Sequence, residues 1–149
     1  MADRAVDPID ELLLDALERN GRMSMRQLAD EAHISRANAY ARVERLTKDG
    51  IVKGYTAVVD PVARGLTTAA YVTLSIQQAK WRYVCSQLRA VKGIEHIALV
   101  GGEFDVVLLV RAKDNADLRR LVLEDIQAID GVINTRTLLV FDEPELPQA

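Results

Sequence analysis

Cysteine is almost missing from this chain: of 149 residues, only Cys85 carries a thiol. One thiol forms no intrachain disulfide, so disulfide-stapled folds are excluded and a cytosolic setting is expected. Histidine is nearly as scarce, with only His33 and His96. A zinc ligand set would therefore need several carboxylates, and no histidine adjoins Cys85 in sequence to activate it. Nothing resembles a phosphate-binding glycine loop. Cys85 is read as a packed helix residue, and no catalytic residue, metal or cofactor is expected. Apolar runs are short, none nearing the roughly 20 residues that cross a bilayer. The opening Met1-Ala2-Asp3-Arg4-Ala5-Val6-Asp7 lacks the apolar core of a signal peptide. No membrane partner is expected.

Positive charge is in slight deficit. Lys and Arg number 19 against 22 Asp and Glu, a formal net charge of -3. Taken whole, that argues against a polyanionic partner. Its distribution argues otherwise. Residues 7–18 carry five acids (Asp7, Asp10, Glu11, Asp15, Glu18) and no base, whereas residues 19–54 carry eight bases and four acids. A local positive field outranks the total in attracting nucleic acid.

The pattern changes near residue 60. Before it lie three short helical segments with clear end signals. Asp7 and Pro8 suit the N-cap and first position of a helix whose Ile9, Leu13 and Leu17 form a buried stripe, with Leu14 beside them. Asn20-Gly21 reads as a left-handed stop. Ser24 and Gln27 form a capping box for a second helix, packed through Leu28, Ala29 and Ala32. After His33-Ile34, Ser35 caps a third helix that Gly50 ends near Asp49. Residues 51–59 then read as a strand, rich in branched side chains. Two helices, a tight turn and a strand describe a helix-turn-helix with a wing.

The remainder reads as strand, helix, strand, strand, helix, strand. The strands are expected at 70–76, 94–100, 104–110 and 132–141, and the helices at 81–91 and 118–129. A weak internal repeat supports this order: Leu88-Arg89-Ala90-Val91-Lys92-Gly93-Ile94 matches Ile126-Gln127-Ala128-Ile129-Asp130-Gly131-Val132. Each is a helix end, a glycine and a strand start. The fold class is therefore α+β, an N-terminal winged helix-turn-helix plus a C-terminal ferredoxin-like βαββαβ domain. The DNA-binding domain is placed at 1–60, a linker at 61–67, the sheet domain at 68–141 and a flexible tail at 142–149, with Phe141 packed. Helices on one sheet face leave the other needing cover, so self-association through it is expected.

On the third helix, Ala39, Val43 and Leu46 cluster on one side. Arg36, Asn38, Tyr40 and Arg45 fall away from it, and Ala37 and Ala41 permit close approach to base edges. Asn pairs bidentately with adenine, and Arg with guanine or phosphate. Arg36, Asn38, Tyr40 and Arg45 are the expected groove contacts. Arg42 and Lys53 are expected at phosphate, with Arg42 alternatively holding the domain together. A second candidate is the turn Gly101-Gly102-Glu103-Phe104-Asp105. Its glycines expose amides to a carboxylate, and Glu103 and Asp105 accept from an ammonium group, together matching an α-amino acid. The same residues also make an ordinary hairpin turn.

The chain resembles the leucine-responsive regulator and asparagine-regulator (Lrp/AsnC, feast/famine) family over residues 6–141. The resemblance is carried by Val6-Asp7-x-x-Asp10 with Leu13 and Leu17, then Gln27-Leu28-Ala29. It continues through Ile34-Ser35-x(6)-Arg42-Val43-x-Arg45-Leu46, Gly50-Ile51-Val52-x-Gly54-Tyr55-x-Ala57 and Val59-Asp60. In the second half it rests on Gly102-Glu103-Phe104-Asp105 and Gly131-Val132-x-x-Thr135-x-Thr137. The resemblance implies a cytoplasmic, nucleoid-associated regulator that binds double-stranded DNA and forms dimers and octamers. It further implies an amino-acid effector in a cleft between dimers, which places Gly102 to Asp105 there, lined also by Thr135 and Thr137. Two positions depart from the pattern: Gly101 stands where Thr or Ser is frequent, and Phe104 where Tyr is frequent. Tetrapyrrole-processing decarboxylases share this architecture, but would need a basic, His-containing cavity in a half that offers one histidine. An effector-sensing assembly with a vestigial DNA head is a third reading.

Overall fold

In the computed structural model, which describes residues 6–144, Asp7 opens the first helix, α1 (Pro8–Arg19). Its carboxylate accepts from the amides of Ile9 and Asp10, and the Asp10 carboxylate in turn accepts from the Asp7 amide. This acid-for-acid capping box satisfies three of the amides a helix start leaves open. Helix α2 (Met25–Glu31) begins at Ser24 with the expected reciprocal Gln27 bond. Helix α3 (Arg36–Lys48) begins at Ser35, whose hydroxyl accepts from Asn38.

Both α2 and α3 end in the same way. After α2 the Ile34 amide reaches back to the Ala29 carbonyl and His33 to Asp30, with His33 at φ 53°. After α3 the Ile51 amide bonds Leu46 and Gly50 bonds Thr47, with Gly50 at φ 73°. These are Schellman motifs, in which one left-handed residue turns the chain while closing the last carbonyls. At the helix-turn-helix corner that residue is a histidine, not a glycine. The end of α1 differs from expectation. Asn20 is extended, and neither it nor Gly21 is left-handed. A side chain at Gly21 would instead meet the Tyr55 ring at 3.2 Å, so glycine serves close approach there.

The strand expected over 51–59 does not form in the single chain. Ile51 and Val52 both donate to the Leu46 carbonyl, and so close α3. Beyond them, a strand needs a neighbour for its amides and carbonyls, and no described residue pairs with this segment. Val58 is fully exposed and Val59 more than half. The division into two units falls here, between Val58 and Val59.

In the second unit, β1 (Thr68–Ile76), α4 (Trp81–Ala90), β2 (Ile94–Leu99), β3 (Val106–Ala112), α5 (Asn115–Arg120) and β4 (Val132–Leu139) follow in order. A short 3-10 turn precedes α4, and a π-helical stretch, Leu121–Ile126, continues α5. The last helix thus starts three residues earlier than expected and stops at Ile126, with the Gln127 amide bonded five residues back to Val122. The sheet is antiparallel in the order β2-β3-β1-β4, the ferredoxin-like arrangement. Gly93 and Gly131, the glycines of the repeat, hold φ 95° and 104°. A side chain would strike the Arg111 carbonyl at 2.8 Å in the first case and Val84 at 2.9 Å in the second. The repeat is therefore a repeated steric need.

Strand alternation divides the sheet cleanly. Val72, Leu74, Val106, Leu108 and Val110 pack beneath Val84, Leu88, Leu118, Leu121, Val122 and Ile126. On the other face, Leu138, Tyr71, Leu109 and His96 form one row across all four strands. Tyr71 and Leu138 are about half exposed. Cys85 is buried in α4. In the segment read as a tail, Glu143 takes two hydrogen bonds from Arg111, while Phe141, expected to pack, is 98% exposed. Residues 145–149 of that segment lie outside the described residues.

Candidate DNA-reading surface and effector turn

Helix α3 is held by the side chains the periodicity selected. Ala39, Val43 and Leu46 are buried, the first two within a cluster formed by Leu13, Ala16 and Leu17 of α1 and Leu28 and Ala29 of α2. Arg36, Ala37, Asn38, Tyr40, Ala41, Glu44 and Lys48 are exposed along the rest of the helix. Tyr40 is 58% exposed, and Lys53 is exposed beyond the helix end.

Arg42 and Arg45 behave differently. Arg42 donates through Nη1 to Asp7 Oδ2 at 2.5 Å and to Asp10 Oδ1 at 2.8 Å, and through Nε to Asn38 Oδ1 at 3.1 Å. Arg45 donates through Nη2 to the other Asp10 oxygen. Asp10 is completely buried. Burial pushes its carboxyl up, but the Asp7 amide and the guanidinium groups of Arg45 and Arg42 outweigh that, leaving it below the ordinary value. The hydrogen bond from Arg42 likewise lowers Asp7, and Asp7 in turn raises Arg42. Arg42 is therefore the residue that ties α3 to α1, while Arg45 keeps about two fifths of its side chain at the surface. The same pairs neutralise part of the positive stretch that charge counting assigned to residues 19–54. Arg19 is likewise paired, with Glu31. The bases of this unit outside ion pairs, among the described residues, are Arg22, Arg26, Arg36, Lys48 and Lys53.

The glycine turn links β2 to β3, which begins at Val106, so Phe104 and Asp105 belong to the turn and not to the strand. Only Gly102 has a positive φ, at 123°. Asp105 fastens the turn to the end of β1. Its carboxylate accepts from the Ile76 amide at 2.8 Å and from Gln78 Nε2 at 2.6 Å, and its own amide donates to Leu74. Glu103 is exposed, 3.7 Å from Arg136 Nη1, and the Arg136 guanidinium lies over the Phe104 ring at 5.4 Å. Arg136 was not singled out from sequence; its one signal is its place within Thr-x-Thr. Thr135 and Thr137 stand opposite Leu74 and Val72, hence on the helix-covered face, whereas Arg136 stands opposite Thr73 on the open one. Within one chain, then, it is Arg136 that meets Glu103 and Phe104.

Two hollows flank these residues. One, of about 230 Å³, is lined by Ile76, Gln78, Trp81, Leu99, Val100 and Asp105. The other, of about 370 Å³, runs between α5 and β4 over Leu118, Val122, Leu123 and Leu139, with Asn115, Arg119 and Thr137 at its rim. Both have mainly apolar walls and a few polar groups, the composition of small-molecule sites. His96 lines neither of them. No group of His, Cys, Asp and Glu among the described residues is arranged to hold a metal, and no helix there is long and apolar enough to cross a membrane.

A three-helix head with an exposed helix, followed by a ferredoxin-like sheet with ligand-sized hollows, is the architecture of a regulator with a DNA-binding and a ligand-binding domain. Residues 6–53 match the winged helix-turn-helix DNA-binding family model, and residues 69–147 match the Lrp/AsnC ligand binding domain. The chain belongs to the Lrp/AsnC family of transcription regulators. It is 32% identical to the HTH-type transcriptional regulator AldR of Mycobacterium tuberculosis, a match covering 92% of this chain and 78% of AldR. It is 31% identical to the leucine-responsive regulatory protein of Haemophilus influenzae, covering 95% and 87%. Among solved structures, the feast or famine regulatory protein from M. tuberculosis complexed with L-methionine superposes with a TM-score of 0.89 at 29% identity, covering 97% and 98%. AsnC of E. coli shares the fold, with a TM-score of 0.85 at 23% identity over 95% and 96%.

Proposed function

We propose that this regulator binds specific double-stranded DNA as a dimer or larger assembly, and that an amino acid shifts that binding. The exposed face of α3 carries the reading. It presents Arg36, Asn38, Tyr40 and part of Arg45 around Ala37 and Ala41, while its opposite face is sealed in the core. Arg36, Asn38, Tyr40 and Arg45 meet base edges, and Lys53 meets phosphate. Arg42 positions the helix. The open sheet face, with its row of Leu138, Tyr71, Leu109 and His96, supports dimerisation there and hence paired recognition helices. Octamers follow as the larger assembly in the cytoplasm, on the nucleoid.

The effector reading rests on the turn and its neighbours. Gly101, Gly102 and Glu103 with Arg136 and Phe104 offer groups for a carboxylate and an ammonium. Asp105 and Thr137 each line an apolar-walled hollow, Thr135 lies on the same strand and face as Thr137, and the M. tuberculosis relative holds L-methionine. An apolar amino acid fits best. An effector acts only through unequal affinity for two assemblies or for free and DNA-bound protein. The test is a gel shift on the regulator's own upstream region with a panel of amino acids, paired with sedimentation of the free protein. At least one apolar amino acid should move the binding midpoint or the assembly size. Unchanged behaviour across the panel overturns the effector reading.

A further inference from the structure

Asp7 has a second consequence beyond capping. Its carboxylate lines a shallow hollow of about 430 Å³ whose other walls are Asn38, Ala41, Arg42 and Arg45, all on α3. Together with Asp10, buried behind it, Asp7 balances the charges of Arg42 and Arg45. The two acids are not equivalent. Asp10 is fully buried and by itself gives both guanidinium groups an acceptor. The Asp7 side chain is 45% exposed. Its capping bonds to Ile9 and Asp10 need only a side-chain oxygen, which Asn or Ser supplies equally well. Packing and capping therefore do not demand the negative charge at residue 7. That charge sits beside the groove-facing helix.

We propose that Asp7 limits the sequence-independent affinity of the DNA surface, its charge cancelling that of Arg42 so that the head grips phosphate only weakly. The inference rests on α3 as the reading helix. Phosphate contacts supply nearly all non-specific affinity, and each adds to the salt dependence. A repulsive group that weakens every sequence alike at the backbone lowers specific and non-specific affinity together, and so keeps the head from being held on DNA at large. Arg42 remains tied to Asp10 and Asn38 when Asp7 is neutralised, so its freed charge stays at the same place.

The experiment compares Asp7→Asn, Asp7→Ser and Glu11→Gln with the wild-type full chain. Glu11→Gln removes one exposed charge from the same helix turn but makes no ion pair among the described residues. Each protein is titrated with its own upstream duplex and a scrambled duplex between 50 and 200 mM salt, and its melting temperature is recorded. Both Asp7 variants should bind scrambled DNA about five-fold more tightly at low salt, with a log–log salt slope steeper by about 0.9. Affinity for the upstream duplex should rise by a similar factor, and Glu11→Gln should do much less. Equal shifts for Glu11→Gln and Asp7→Asn would make this a net-charge effect and overturn the proposal. So would Asp7 variants with a lower melting temperature and unchanged scrambled affinity. Wild-type protein that fails to distinguish the duplexes overturns the α3 reading itself, and this inference with it.

Discussion

Arg42 and Asp10 lie 32 residues apart in sequence, yet the Arg42 Nη1 donates to a completely buried Asp10 oxygen at 2.8 Å. This bond joins the first turn of α1 to the middle of α3. The same carboxylate holds the Asp7 amide and Arg45, so one buried acid both caps α1 and fixes α3 against it.

Removing that acid leaves a half-buried guanidinium and an orphaned amide. Asp10→Ala should therefore lower the stability of the head by about 2–4 kcal/mol, the scale of breaking a buried, hydrogen-bonded pair. Arg42→Ala should do much of the same damage, and the double variant should cost less than the sum. Denaturant titrations of the four proteins give the coupling directly.

Acid should act through the same cluster. Asp7 and Asp10 are both lowered by their partners. A carboxylate lowered by folding contributes stability that is fully present above its unfolded value near 3.8, and that is lost as pH falls through the lower folded value. Melting temperature should thus be flat with respect to these groups from pH 7 to about 5, then fall below pH 4. The fall should be shallower in Asp10→Asn.

His33 occupies a left-handed position that glycine takes without steric cost. His33→Gly should raise stability by up to about 1 kcal/mol, because the relief of strain exceeds the added freedom of the unfolded chain. A chemical denaturation midpoint checks this, with DNA affinity unaltered.

Arg136 offers a cleaner probe of the effector turn than Asp105. Asp105→Ala would also cut the turn from Ile76 and Gln78. Arg136 is exposed and linked to Glu103 and Phe104 only through loose contacts. Arg136→Ala should raise the effector concentration needed for response by about ten-fold, the loss of one charge-assisted contact, while leaving melting temperature and effector-free DNA binding unchanged.

Much of the fold was legible because it is local. Asp7, Ser24 and Ser35 cap helices as their types dictate, and the Gly93/Gly131 repeat marks two equivalent turns. The strand expected at 51–59 does not form in the single chain, because the branched residues that favour β-structure cannot supply the missing neighbour. The early start of α5 and its π-helical end were hidden for another reason: apolar period alone does not report a five-residue hydrogen bond. At the DNA surface, helical period separated buried Ala39, Val43 and Leu46 from exposed Arg36 and Tyr40. It could not show that Arg42 and Arg45 are shared with α1, since that depends on tertiary approach. Strand alternation also sets Arg136 on the open face beside Glu103 and Phe104, while Thr135 and Thr137 stand on the helix-covered one, a division visible only once the strand's register is known.

DNA reading by α3 is tested most directly by one comparison: affinity of the full chain for its own upstream duplex and for a scrambled duplex, across 50 to 200 mM salt, for wild type and Arg36→Ala. Wild type should prefer the upstream duplex, with both affinities falling steeply as salt rises. Arg36→Ala should lose about 1–3 kcal/mol on the upstream duplex, and less on the scrambled one. Equal affinities for the two duplexes, or a flat salt response, would contradict α3 as the element that reads DNA.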